Sequence, residues 1–223
     1  MAEPRSNYKT VWNTLASSPL EEAVFYVSGY TDEEKLHADM EDTLFILRET
    51  VGIRPDDVFL EIGCGVGRVG RGLSAFIKEW IGCDVSDHML KIAQRRLLGL
   101  PNVRFQEISG YDLQPIADNS IDVVYCTVVF MHLDEWDRYN YVLEAYRVLK
   151  PGGRIYIDNA NIASPEGWTV FEETRKSFTA ANRPAHASKC SSVPEFEMFL
   201  SKAGFRDCQV KTRPMWVYGW GTK

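Results

Sequence analysis

The sequence predicts an α/β fold: a doubly wound, mostly parallel sheet with an antiparallel pair of strands at its C-terminal end. Short apolar runs alternate with helical patterns along the chain, and this alternation is typical of a parallel sheet with helices on both faces. Near the C-terminus only Pro214 separates two β-rich runs, which leaves no room for a crossover helix. These two strands are therefore expected to be antiparallel.

The first strand and the helix after it show the alternation most clearly. Residues 58–62 are mostly apolar and predict a buried strand, which runs directly into a glycine-rich turn. Apolar residues then recur at helical spacing from Val69 to Ile77. A second strand at about 80–83 leads to Ser86, which we expect to cap the next helix. The other predicted elements are helices at about 32–51, 134–149 and 193–203, and strands at about 103–105, 121–126, 154–157, 206–213 and 215–220.

The length of 223 residues predicts one domain, or one domain with an appendage. We expect residues 1–50 to form an N-terminal helical cap or lid and residues 51–223 to form the ligand-binding domain. Residues 160–192 are the least regular segment of the sequence. A loop of that length in a compact domain is often a lid or a binding element, so we expect this stretch to be one.

The charge balance excludes some classes of partner. The chain has 25 Lys and Arg against 31 Asp and Glu, a formal net charge of −6, so it lacks the basic excess that neutralises nucleic-acid phosphates. No apolar run approaches the roughly 20 residues that cross a bilayer, and residues 1–7 contain no hydrophobic signal core. We expect a cytoplasmic protein that binds neither nucleic acid nor membrane. The oligomeric state is not predicted.

The five cysteines include no C-x-x-C pair, which indicates reduced thiols rather than disulfides or a zinc site. Cys64, Cys83 and Cys126 fall near the ends of predicted strands, and with His132 they offer a conceivable metal site. A buried cysteine is more often a small hydrophobic residue, so we expect no bound metal.

The turn after the first strand has the chemistry of a ligand-binding loop. Gly63, Gly65 and Gly67 alternate along it, and the absence of Cβ atoms lets backbone N–H groups approach a ligand closely. Asp84 ends the second strand, 21 residues after Gly63. That spacing is typical of an acid that accepts hydrogen bonds from ribose hydroxyls, so the predicted ligand contains a nucleoside.

A nicotinamide dinucleotide is the main alternative ligand, because residues 65–70 formally match G-x-G-x-x-G. That match is out of phase, since the first glycine of a dinucleotide turn should follow the strand directly and Gly63 has that place. Glu61 would also bring a carboxylate close to the pyrophosphate. An acid there suits a cationic ligand, and S-adenosylmethionine carries a sulfonium and an ammonium but no phosphate.

Four motifs carry a family resemblance. Residues 61–67 look like the E/D-x-G-x-G-x-G loop, and residues 82–86 look like the ribose segment, of the class I, Rossmann-like S-adenosylmethionine-dependent methyltransferases. Residues 118–124 resemble the D-x-S-F-D-x-V run that leads into the family's fourth strand, and residues 147–153 resemble its R-v-L-k-P-G-G segment. The resemblance covers about 55–160, and the C-terminal β pair extends it to the end of the chain.

The resemblance implies seven strands with the last one antiparallel, S-adenosylmethionine as cofactor and S-adenosylhomocysteine as product. It places Glu61 near the ammonium group, Asp84 on the ribose, and Val85 and Met89 beside the adenine. Ser109, Gly110 and Tyr111 stand where many members have Gly-Asp near the adenine. The full set of predicted cofactor-binding residues is Glu61, Gly63, Cys64, Gly65, Gly67, Asp84, Val85, Met89, Ser109, Gly110, Tyr111 and Thr127, with Tyr26 and Tyr30 reaching the cofactor carboxylate from the cap.

Transfer of a methyl group from a sulfonium is an in-line displacement, for which alignment and desolvation are the main requirements. His132, after the fourth strand, is the candidate base for a hydroxyl acceptor; alternatively it caps a helix or lines the cofactor. Asp158 and Asn159 resemble part of the metal site of catechol-type O-methyltransferases, but no acid after the fourth strand completes it. We expect O- or N-methylation of a small organic acceptor. The alternatives are a catalytically silent sensor or partner subunit and, less favoured, an NAD-dependent oxidoreductase.

Overall fold

The computed structural model describes residues 8–184 and 186–223. The first seven residues of the predicted cap lie outside the described residues. The α-helices are α1 (Tyr8–Ala16), α2 (Leu20–Ser28), α3 (Glu33–Thr50), α4 (Arg68–Leu73), α5 (Asp87–Arg96), α6 (Glu135–Val148), α7 (Pro165–Ser177) and α8 (Val193–Ala203). The strands are β1 (Val58–Ile62), β2 (Glu79–Asp84), β3 (Val103–Glu107), β4 (Ile121–Cys126), β5 (Leu149–Ala160), β6 (Arg206–Thr212) and β7 (Trp216–Thr222).

The strands form one seven-stranded sheet in the order β3-β2-β1-β4-β5-β7-β6. β1 with β2, β2 with β3, and β4 with β5 pair in parallel, whereas β7 runs antiparallel to both β5 and β6. The predicted doubly wound α/β fold, with an antiparallel C-terminal pair, is confirmed. By its contacts the chain divides into two compact units, one ending at Gly110 and the other beginning at Tyr111.

The core of the first unit is built around the indole of Trp80. β1 is buried along its whole length, and Phe59 pairs with Trp80 across β1 and β2. The ring is fully buried because two glycines leave space for it: a Cβ on Gly70 or Gly82 would lie 2.4 or 2.2 Å from ring atoms. Phe105 of β3 contacts the ring edge to face, with 5.6 Å between centroids. The sequence of β2 and α4 therefore fits one large side chain between two strands and a helix.

The second unit is held together by β4, β5, β7 and the helix that covers one face of them. The pairs Val124↔Ile155 and Ile157↔Gly219 set the register of the three strands. Phe196 and Leu200 of α8 are fully buried, and they lie where a Cβ on Gly219 would be 3.4 and 3.1 Å away. The missing side chain at Gly219 lets α8 pack closely on β7.

Two elements differ from those expected from the sequence. Residues 160–192 are not irregular throughout, because Ser164 accepts a hydrogen bond from the Gly167 N–H at 3.0 Å and caps α7, with Pro165 in its first turn. A Ser-Pro start is a helix signal that outweighs the weak apolar pattern of this segment. β5 also begins at Leu149, earlier than predicted, and passes through the Pro-Gly-Gly segment.

In the described part of the chain, no helix combines the length and apolar character needed to span a membrane.

Two glycines of α4 give a matched test of the packing around Trp80. Gly70→Ala should lower the free energy of unfolding by about 1–3 kcal/mol, because its methyl group would overlap a rigid, buried indole. Gly72→Ala should leave the free energy of unfolding within about 1 kcal/mol of the wild-type value, or raise it. Its methyl group would meet only the flexible ends of Met40 and Leu44, and alanine has a higher helix propensity than glycine. Urea denaturation followed by circular dichroism measures both changes. Equal effects of the two substitutions would contradict this account of the core.

Candidate functional site

The glycine turn after β1 has a backbone that favours glycine at all three alternating positions. Gly63, Gly65 and Gly67 have φ angles of 70°, 50° and 75°, in the left-handed region that other residues adopt only with strain. The Cys64 N–H donates to the Cys83 carbonyl at 2.9 Å, and the Gly67 N–H donates to the Cys64 carbonyl at 2.9 Å. These bonds hold the loop against the end of β2, and the small residues leave its backbone open to a close ligand.

Asp84 is hydrogen-bonded to this loop. It is only 7% exposed, and its Oδ2 accepts a hydrogen bond from the Gly65 N–H at 2.8 Å. Its Oδ1 accepts one from the Ser86 N–H at 2.9 Å. Burial raises the pKa of Asp84 to about 6, even though the N–H groups of Ser86 and Gly65 lower it. Each carboxylate oxygen has a second lone pair, so the group is chemically suited to accept from a pair of ribose hydroxyls.

Glu61 is oriented by a residue that the sequence did not single out. Its carboxylate is buried in β1, and Oε2 accepts a hydrogen bond from the indole Nε1–H of Trp80 at 3.2 Å. Because Gly70 and Gly82 fix the ring of Trp80, they also fix the direction of this N–H group. A Trp placed two residues before a strand glycine, with a second glycine on the next helix, is the only signal in the sequence that points to this arrangement.

The predicted adenine side of the site lies at the start of α5. Ser86 caps this helix as predicted: its Oγ accepts from the Met89 N–H at 3.1 Å and donates to Asn13 Oδ1 at 2.6 Å. Gly110 has a φ of 93°, and a Cβ there would lie 3.1 Å from Val85. Within the first unit the structure therefore brings Asp84, Val85 and the glycine turn together.

Helices α1 and α2 pack directly on these same residues. Val27 of α2 lies 3.2 Å from where a Cβ on Gly65 would be, and Met89 is buried in a cluster with Ala16 and Val24. The Asn13 amide also donates to Asp87 Oδ1 at 3.0 Å. These two helices therefore cover the glycine turn and the start of α5.

Tyr26, Tyr30 and Ser109, three further predicted residues, lie at the surface of the first unit. Tyr26 on α2 is 40% exposed and touches Phe25 edge to face. Tyr30 lies between α2 and α3 and is 39% exposed, and Ser109 is also exposed. None of the described contacts joins either tyrosine to the glycine turn, so their predicted contact with the cofactor carboxylate stays a prediction.

In the second unit, a strained turn follows β4. Thr127 is buried, and the next residue, Val128, has a φ of 62°, an unusual conformation for a β-branched residue. The Val128 N–H donates to Asp158 Oδ1 at 2.8 Å, and the Tyr156 hydroxyl donates to Asp158 Oδ2 at 3.3 Å. Asp158 therefore anchors the loop after β4, and no sequence pattern indicates this role. Strain of this kind is often retained at functional sites.

His132 lies in a 3-10 turn that precedes α6. Its Nδ1 lies 3.0 Å from the His186 carbonyl, which can only accept, so the proton is on Nδ1 and the lone pair on Nε2. Burial lowers the pKa of His132 to about 4, and the imidazole is neutral at pH 7. A neutral ring is the form that can accept a proton, although the low pKa makes it a weaker base.

The cysteines do not have the environment of reactive or metal-bound thiols. Burial raises the pKa of both Cys64 and Cys83, with the charge of Asp84 as a further cause. Among residues 8–184 and 186–223, no group of three or more His, Cys, Asp or Glu side chains is arranged to hold a metal ion.

Comparison with known proteins identifies a methyltransferase domain in this chain. A family model described as a methyltransferase domain matches residues 60–157, which include the glycine turn, Asp84 and His132. The chain is 29% identical over 193 residues to YcgJ, an uncharacterized methyltransferase of Bacillus subtilis (strain 168), covering 84% of this chain and 73% of that protein. Residues 60–157 therefore carry a methyltransferase domain, and the fold is that of the class I S-adenosylmethionine-dependent methyltransferases.

Solved structures of methyltransferases share this fold. The crystal structure of YcgJ superposes with a TM-score of 0.64 at 26% identity, covering 77% of this chain and 71% of that one. A Thermotoga maritima S-adenosylmethionine-dependent methyltransferase, described as a possible histamine N-methyltransferase, gives a TM-score of 0.70 at 21% identity and covers 96% of this chain and 99% of its own. Phosphoethanolamine N-methyltransferase 1 of Haemonchus contortus, solved with phosphoethanolamine and S-adenosylhomocysteine, gives 0.71 at 16% identity, with 96% of this chain and 47% of that one covered.

The cofactor of this methyltransferase is S-adenosylmethionine. The residues of the first unit fit it on two observations: the left-handed glycines leave a bare backbone, and Asp84 is a buried acceptor fixed beside that backbone. Glu61 adds a second buried acid, which suits the positive charges of the cofactor.

Proposed function

We propose that this methyltransferase transfers the methyl group of S-adenosylmethionine to an oxygen or nitrogen of a small organic acceptor. The observation that carries the proposal is the bond between Asp84 and the Gly65 N–H, because it couples a buried acceptor suited to ribose hydroxyls to the glycine turn. The Glu61 carboxylate, held by Trp80, would repel a dinucleotide pyrophosphate. The net charge of −6 and the names of the structural neighbours support a small acceptor rather than a nucleic acid.

In this proposal the first unit supplies all of the cofactor-binding residues except Tyr111 and Thr127, which belong to the second unit. Gly63, Gly65 and Gly67, with Cys64 between them, contact the methionine part of the cofactor, and Asp84 accepts from the ribose hydroxyls. Glu61, held by Trp80, faces the ammonium group. Val85, Met89, Ser109, Gly110 and Tyr111 are the residues proposed beside the adenine, Thr127 completes the set after β4, and Tyr26 or Tyr30 reaches the carboxylate.

The cofactor supplies a methyl group already activated by a positive sulfur, so the chain needs only to align the acceptor and exclude water. Residues 1–50 act as the cap that does so over the cofactor. This role is supported by the contact of Val27 with the glycine turn and by the Asn13–Ser86 hydrogen bond. Opening of α1 and α2 would admit the cofactor, and closing would restore these contacts.

His132 is proposed as the base for a hydroxyl acceptor. Its Nδ1–H is committed to the His186 carbonyl, so Nε2 is the nitrogen that would take the proton. The neutral ring at pH 7 supports this role over that of a cation.

The acid that titrates near pH 6 predicts how cofactor affinity depends on pH. Ribose hydroxyls donate to the ionised carboxylate, so binding lowers the pKa of Asp84, and the affinity for S-adenosylhomocysteine should rise as the pH rises through about 6. Asp84→Asn should remove this dependence between pH 5 and 7 and weaken binding about tenfold or more at pH 7.5. Isothermal titration calorimetry measures both effects, with the exposed Asp42→Asn as control. An unchanged pH profile in Asp84→Asn would remove Asp84 from the ribose.

The acceptor chemistry is tested by release of S-adenosylhomocysteine from a panel of small amines and hydroxyl compounds. We expect turnover on at least one of them. If that acceptor is a hydroxyl, His132→Ala should lower kcat about 10²-fold or more with cofactor affinity within about twofold, because only proton transfer is lost. His37→Ala, on the exposed face of α3, is the matched control. Tight cofactor binding with no turnover across the panel would favour a sensor or partner subunit.

A further inference from the structure

The turn between β6 and β7 lies beside the carboxyl end of β5. β7 begins at Trp216, opposite Ala160 at the carboxyl end of β5. The Asn161 N–H donates to the Met215 carbonyl at 2.9 Å, which ties the hairpin to the end of β5. In open α/β sheets the ligands lie beyond the carboxyl ends of the parallel strands, and this end of β5 is one of them.

The hairpin presents a cation and aromatic rings on the face away from α8. Residues opposite one another in an antiparallel pair share a face, and Asp158 is opposite Tyr218, whereas Gly219 faces α8. Arg213 and Trp216 exchange two backbone hydrogen bonds of 2.9 Å and are therefore opposite one another, and the Arg213 guanidinium lies 6.0 Å from the centre of the Trp216 ring. Burial raises the pKa of the Tyr156 phenol, the Asp158 carboxylate raises it further, and Arg213 lowers it, which is consistent with Arg213 near this group.

Among the described residues, the Nε–H of Arg213 has no acceptor. Its Nε is buried, and within the described residues this atom has no hydrogen-bond partner and Arg213 forms no ion pair. Arg138 of the same unit is different, since it pairs with Glu195 at 2.9 Å. A buried N–H without an acceptor is costly, and a planar guanidinium is best satisfied by an oxyanion.

We propose that Arg213, with Trp216 and Tyr218 beside it, forms the subsite that holds a carboxylate or phosphate group of the methyl acceptor. The oxyanion would accept from the Nε–H and a terminal N–H of the guanidinium, and the flat rings would contact the body of the molecule. This inference rests on the proposed methyl transfer, and it narrows the acceptor to small molecules that carry an anionic group. Arg213 sets specificity in this account and takes no part in proton transfer.

Anion binding by the full-length protein tests the subsite without knowledge of the acceptor. Sodium phosphate and, separately, sodium acetate are titrated at constant ionic strength, with the fluorescence of the tryptophans as readout. We expect saturable binding of at least one anion, and the preferred one distinguishes a phosphate from a carboxylate acceptor. Arg213→Gln should weaken anion binding at least about tenfold. Arg213→Lys should have an affinity between those of the wild type and Arg213→Gln, because lysine keeps the positive charge but not the paired N–H donors of the guanidinium. Arg206→Gln, on the exposed part of β6, is the matched control and should stay within about twofold.

The affinity for S-adenosylhomocysteine in the same variants separates this subsite from the cofactor site. Arg213→Gln should leave that affinity within about twofold of the wild type. Wild-type protein that shows no saturable anion binding, or Arg213→Gln that binds the anion as well as the wild type, would overturn the subsite. Loss of cofactor affinity together with anion binding in Arg213→Gln would also overturn it, since Arg213 would then support the fold. If even the wild type failed to bind S-adenosylhomocysteine, the proposed function would fail while the anion result stood by itself.

Discussion

The hydrogen bond from the Gly65 N–H to Asp84 is the constraint on which the site depends. It joins the turn after β1 to the end of β2, and so it fixes a flexible glycine segment against a buried acid. The left-handed backbone at Gly63, Gly65 and Gly67 is costly for any residue with a side chain, and the bond to Asp84 helps to hold one of many conformations open to glycine. The burial that shields Asp84 from water also raises its pKa to about 6. Hydrogen bonds donated by the two hydroxyls of a ligand would stabilise the ionised carboxylate.

A second constraint links the core to the chemistry. Trp80 fills space left by Gly70 and Gly82, and its indole N–H points to the Glu61 carboxylate. The packing of the first unit and the orientation of a buried acid are therefore one requirement, and a change that loosens the ring also releases the acid. In the second unit, the buried carboxylate of Asp158 accepts a hydrogen bond from the N–H of the strained Val128 after β4. In both units a buried carboxylate satisfies backbone or side-chain donors at the end of a strand, as low-dielectric surroundings demand.

The sequence predicted the parts of this structure that depend on local spacing. The glycine turn, Asp84 at the end of β2, the Ser86 cap and the antiparallel C-terminal strands all follow from residue types at fixed distances along the chain. Other features depend on residues distant in sequence, and no periodicity reveals them. The hydrogen bond from Trp80 to Glu61, the anchoring of Val128 by Asp158, and the unpaired Nε of Arg213 arise only when strands meet in a definite register. α7 was missed for a different reason, because a Ser-Pro cap outweighed a polar sequence.

The central claim is that the first unit is built for a nucleoside carrying positive charge and no phosphate. Calorimetric titration of the full-length protein with S-adenosylhomocysteine and with NADH, under identical conditions, tests it most directly. This account predicts that S-adenosylhomocysteine binds at a single site with micromolar or tighter affinity and that NADH shows no measurable binding, because Glu61 would meet its pyrophosphate. Micromolar binding of NADH without binding of S-adenosylhomocysteine would contradict it.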